Sequence, residues 1–159
     1  MNTIKSATRS ISDFLDERIR PLFNKHNKDN IIIDGVNLIT RLEEYAANGY
    51  LKASTLFCTF DINNLFTMLP QEEAIKILGK FLRHSVGEKL KDIRVTTIEK
   101  LAAIVLKENA FIFNNKFYKQ TIGGAMGSPF TLTLANIFMW YWEKRWIDRQ
   151  NKRQEIYGR

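Results

Sequence analysis

The stretch that most limits what this chain can become is Cys58-Thr59-Phe60-Asp61-Ile62 with its continuation Asn63-Asn64-Leu65-Phe66-Thr67-Met68-Leu69-Pro70. Residues 55–60 are rich in β-branched and aromatic types and run straight into a carboxylate. This pattern predicts a buried strand that ends by aiming Asp61 out of a sheet. A polar turn follows, then Phe66 five residues after the acid, and Pro70 in place to open a helix. A lone aspartate in this setting is also an ordinary turn or cap residue, so its meaning rests on what the rest of the chain supplies.

The N-terminal third reads as scaffold. Ile11, Phe14, Leu15, Ile19, Leu22 and Phe23 recur at three- and four-residue steps and predict a helix over residues 10–23, which Pro21 should kink or end. A polar connection over residues 24–30 precedes a second helix carrying Val36, Ile39, Leu42 and Tyr45 that stops at Asn48-Gly49. Glu72 and Glu73 after Pro70 suit the positive end of a helix dipole, with Ala74, Ile75, Leu78, Phe81 and Leu82 on the buried face. Residues 85–95 read as a loop. Thr96-Thr97-Ile98-Glu99 reads as a capping box for the next helix, which ends near Asn109.

Phe111-Ile112-Phe113, Asn114-Asn115 and Lys116-Phe117-Tyr118-Lys119-Gln120 predict a β-hairpin, because asparagine tolerates the positive φ of a tight two-residue turn. Tyr118, beside two lysines, reads either as core, the commoner fate of hairpin aromatics, or as a surface that stacks on a base. The loop Thr121-Ile122-Gly123-Gly124-Ala125-Met126-Gly127-Ser128-Pro129 then lets backbone approach a ligand closely, and Ser128-Pro129 caps a largely apolar helix running to about Trp146. No lysine follows Gly127, which excludes a Walker loop, and the glycine spacing excludes a dinucleotide fingerprint.

Charge narrows the partners. The formal charge is +7, and residues 111–159 carry eight basic side chains against three acidic ones. Such an excess suits a phosphate backbone, and Lys144, Arg145, Arg149, Lys152 and Arg153 form either a solvated face or a phosphate track. The single cysteine, Cys58, leaves no internal disulfide, and two distant histidines without cysteine partners argue against zinc. Lys5 and Arg9 without an apolar run at the start are unlike a secretory leader. No apolar run is long enough for a bilayer span, so no membrane is expected.

Taken together, two stretches resemble a family. Phe60-Asp61 with an aromatic five residues on is similar to motif A of reverse transcriptases. Gly124-Ala125-Met126-Gly127-Ser128-Pro129, roughly sixty residues later and leading into an apolar helix, resembles motif B. The longer wording, including Tyr118-Lys119-Gln120, Ile19-Arg20-Pro21-Leu22-Phe23 and Leu42-Glu43-Glu44-Tyr45, is similar to Penelope-like retroelement reverse transcriptases, relatives of the telomerase catalytic subunit. The resemblance covers nearly the whole chain.

What the resemblance implies is an α+β, mostly helical, incomplete fingers-and-palm with one palm strand and one hairpin. It would be a single partial domain, with residues 1–50 helical and fingers-like and residues 51–159 holding both motifs. The parent would be an RNA-directed DNA polymerase of a retrotransposon, intracellular and nuclear, acting on an RNA template, a DNA primer and dNTPs. Its cofactor would be Mg²⁺, bound by Asp61 and the carbonyl of Ile62.

Phe66 falls where the family places an aromatic gate against a ribose 2′-hydroxyl, although Tyr is common there. Met126 stands where many members have Gln; Gly127 and Ser128 would approach the templating pair, and Gln120 matches a position ahead of motif B. Motif C, with its paired aspartates, is expected after Glu155-Ile156-Tyr157-Gly158-Arg159 and is not among these residues. The isolated chain is therefore expected to be inactive, with the Asp61 strand left as an exposed apolar edge. The alternative is a non-catalytic nucleic-acid-binding module that keeps the fold.

Overall fold

A computed structural model describes residues 8–158; the stretch around Lys5 and the terminal Arg159 lie outside the described residues. The fold is α+β and mostly helical. The elements are α1 (Arg9–His26), α2 (Gly35–Ala47), α3 (Leu65–Met68), α4 (Gln71–Val86), β1 (Lys89–Leu90), β2 (Ile93–Arg94), α5 (Val95–Lys107), β3 (Ala110–Phe113), β4 (Lys116–Lys119) and α6 (Pro129–Lys152). The strands form two separate antiparallel pairs, β1 with β2 and β3 with β4. No described helix is long and apolar enough to cross a membrane.

The described chain divides into two compact units, one built from the residues through His26 plus Ile62–Tyr141, the other from Asn27–Asp61 plus the residues from Trp142 on. In the first, Leu15, Ile19 and Phe23 of α1 form a buried stripe, and Ala74, Ile77, Leu78, Phe81 and Leu82 of α4 form another. Ile98, Ala102, Val105 and Leu106 of α5 and Phe130, Leu134 and Ile137 of α6 complete this core. Phe81 stands edge-on to Trp140 at 5.5 Å and tilts against Phe23 at 6.0 Å.

Several elements depart from the sequence expectations, each for a tertiary reason. The strand expected over residues 55–60 is not formed among the described residues: the segment has no regular structure, and Leu56, Phe57 and Phe60 are 85%, 70% and 60% exposed. A strand exists only through a paired neighbour, and no described strand lies alongside it. Helix α1 runs through Pro21 to His26. Pro21 and Glu17, whose carbonyl loses its partner, are both on the solvent-exposed side.

The capping box at residues 96–99 is likewise not formed. Helix α5 begins one residue earlier, without a side-chain cap, and Glu99 is taken by Arg83 of α4 through two 3.0 Å hydrogen bonds. Residues 85–95, read as a loop, hold the last turn of α4 and the β1–β2 hairpin. Helix α6 extends past Trp146 to Lys152, with Arg149 and Lys152 in the last turn suiting its negative end. Its burial is one-sided, since Leu132, Trp142 and Trp146 are exposed.

The β3–β4 hairpin forms as expected, with Asn114 and Asn115 at φ 49° and 58°. Its aromatics are not core: Phe117 is 82% exposed and Tyr118 is 42% exposed, stacked cross-strand on Phe111 at 5.6 Å.

Candidate active site

In the first unit the segment after Asp61 is shaped by Asn64. At φ 59° it caps the single turn α3, and its carbonyl accepts hydrogen bonds from the Thr67 and Met68 amides. Leu69 is buried, and Pro70 turns the chain into α4. The half-buried Phe66 offers its carbonyl to the Gly124 amide at 2.8 Å, and Leu69 offers its own to the Gly123 amide at 2.9 Å. The segment around Phe66 and the glycine-rich loop are thus joined by two backbone rungs.

That joint explains the paired glycines. Gly123 sits at φ +76°, and a Cβ there would lie 2.6 Å from the Phe66 carbonyl oxygen, with the Thr67 carbonyl also in its way. At Gly124 a Cβ would meet the Thr131 side chain. Loop and segment approach closely because neither glycine carries a side chain.

Polar side chains fix the loop from behind. The buried Gln71 donates from Nε2 to the Gly123 carbonyl at 2.8 Å and to the Leu106 carbonyl at 3.3 Å, the latter an orphan of the last turn of α5. Gln120 donates to the Ile122 and Gly124 carbonyls and accepts from Asn109 Nδ2 at 2.6 Å, so its amide braces the loop. Ser128 is buried; its Oγ pairs with Ser12 Oγ at 2.8 Å and accepts the Thr131 amide as the α6 cap. Gly127, at φ +87°, presents its carbonyl to Arg9 at 3.3 Å, and Met126 projects with 53% of its surface open.

Asp61 and Ile62 complete the set of candidates. Asp61 is exposed in the second unit, and Ile62, 39% exposed, opens the continuous part of the first. A pair of divalent ions needs several oxygen donors held together. Among the described residues no group of three or more His, Cys, Asp or Glu side chains is so arranged. Asp61 and the Ile62 carbonyl by themselves therefore do not fit a two-metal centre.

Gln71, Ser12, Asn109 and Arg9 belong to the site's support, a role the sequence assigns to none of them. Ser12 had a signal, being a small polar residue three before Leu15 on the buried stripe of α1. Gln71, beside Glu72 and Glu73, looks like one more solvated residue of a first turn. Set against models of known protein families, curated proteins and solved structures, the chain matches none.

Proposed function

We propose that this chain is the fingers-and-palm portion of an RNA-directed DNA polymerase of the Penelope-like, telomerase-related kind, serving an RNA template, a DNA primer and dNTPs. The observation that supports this reading is the two-rung backbone joint. The stretches carrying the resemblance, roughly sixty residues apart in sequence, meet at Phe66, Leu69, Gly123 and Gly124. On this reading the half-buried Phe66 supplies bulk against a ribose, and the glycine backbone forms a wall that a nascent base pair can approach. Asp61 and the Ile62 carbonyl contribute part of a Mg²⁺ ligand set, and the remaining acids would come from outside these residues.

The test is calorimetric. Titrating the 159-residue chain with Mg²⁺ and a dNTP is expected to give heat that Asp61→Asn removes. Primer extension on an RNA template is expected to be undetectable, because one carboxylate cannot neutralise two divalent ions. Nucleotide heat indifferent to Asp61, with salt-dependent RNA binding, would leave only the non-catalytic nucleic-acid module. Phe66→Ala is expected to let a ribonucleoside triphosphate compete about tenfold better against its deoxy counterpart, in line with the loss of a ~1.4 kcal/mol steric preference. Unchanged competition would remove Phe66 from the nucleotide site.

A further inference from the structure

The C-terminal half of α6 carries a surface that the polymerase reading does not use. Trp142, Arg145, Trp146, Arg149 and Arg153 stand at i, i+3, i+4, i+7 and i+11, so they share one face, Arg153 standing just past the helix end. All five are exposed; Trp142 keeps 63% and Trp146 57% of its surface open. None of the three arginines makes an ion pair among the described residues. Of the two acids on this half of the helix, Glu143 is buried and Asp148 falls off the stripe by its spacing. The Phe60 ring stands edge-on to Trp146 at 6.3 Å and widens the aromatic surface.

Open indole faces alternating with unpaired guanidinium groups match one partner chemistry. The arginines suit phosphates, and the indoles, about 6 Å apart along the axis, suit bases that are not already stacked in a duplex. A helix that lies on a membrane separates its apolar face from its basic face, whereas here both kinds of side chain share one stripe. We propose that this stripe binds single-stranded nucleic acid, with phosphates on Arg145, Arg149 and Arg153 and unpaired bases on Trp142 and Trp146. All of these residues lie in the second unit, and the site requires neither a nucleotide nor a metal at Asp61.

The experiment is a titration of the whole chain with a mixed-sequence single-stranded RNA of about 15 nucleotides, followed by tryptophan fluorescence and repeated across salt concentrations. Binding should quench the fluorescence, and Trp142→Ala should weaken it about tenfold or more. Changing Arg145, Arg149 and Arg153 together to Gln should flatten the slope of log affinity against log salt by about 2. Trp146→Ala could loosen the contact with Phe60, so Trp142, which makes no ring contact among the described residues, is the deciding aromatic.

Asp61→Asn should leave the titration unchanged. Retained binding with no Mg²⁺-nucleotide heat would sink the polymerase reading and spare this one. The proposal is overturned if the arginine variant keeps the wild-type salt slope, if duplex RNA quenches as strongly as the single strand, or if phosphatidylserine vesicles capture the chain and displace the RNA.

Discussion

Gly123→Ala is expected to destabilise the first unit by about 2–4 kcal/mol, read as a lower urea midpoint at unchanged slope. Two costs add at this residue. Its φ of +76° puts an L side chain in the left-handed region, about 1–2 kcal/mol, and the new methyl would press on two backbone carbonyls that cannot swing aside. Gly49 separates the two costs. It has the same φ of +76° but nothing within 4 Å of the point where a methyl would stand, so Gly49→Ala should cost only about 1 kcal/mol. Equal losses at both glycines would show that the close approach of loop and segment contributes nothing.

Gln71→Leu is expected to cost about 2–3 kcal/mol, although leucine keeps most of the volume, because it leaves two carbonyls without a donor in a buried site. Gln71→Glu sharpens the test through its sign. A carboxylate facing two carbonyl oxygens is held above its ordinary titration range, since only the protonated form can donate. A group whose folded value is raised contributes fully below its unfolded value and loses its contribution as pH rises through the folded one. This variant should therefore be closest to wild type near pH 4 and fall behind it toward pH 7. Wild-type Glu72, on the next residue, runs the other way. Hydrogen bonding and charge from Lys107 hold its carboxyl below the usual range, so its contribution is lost as pH falls through that lowered value. Parallel pH profiles for Gln71→Glu and wild type would contradict the donor role of Gln71.

How far the fold could be read from sequence depended on whether the cause was local. The Asn114-Asn115 turn was legible because positive φ at two adjacent residues is a demand the residues themselves meet. The buried stripes of α1 and α4 were legible because helical periodicity is short-ranged. The strand before Asp61 was not, since pairing depends on a neighbour that no local pattern specifies. Glu99 had two suitors, its own helix start and Arg83 sixteen residues earlier, and the guanidinium took it. At the site, Gly123, Gly124 and Ser128 announced themselves by type, whereas Gln71 acquires its task only when the distant Leu106 and Gly123 carbonyls arrive beside it.

The Ser12–Ser128 hydroxyl pair spans 116 residues of chain, and Asp16 of α1 accepts from Thr133 across 117. During synthesis at about 5–20 residues per second, α1 leaves the ribosome roughly 6–23 s before its α6 partners do. For that interval Ser12 and Asp16 lack the Ser128 and Thr133 hydroxyls they pair with, and a chaperone has time to engage the helix. Translation speed across residues 27–128 therefore sets how long these two polar contacts of α1 wait for their partners.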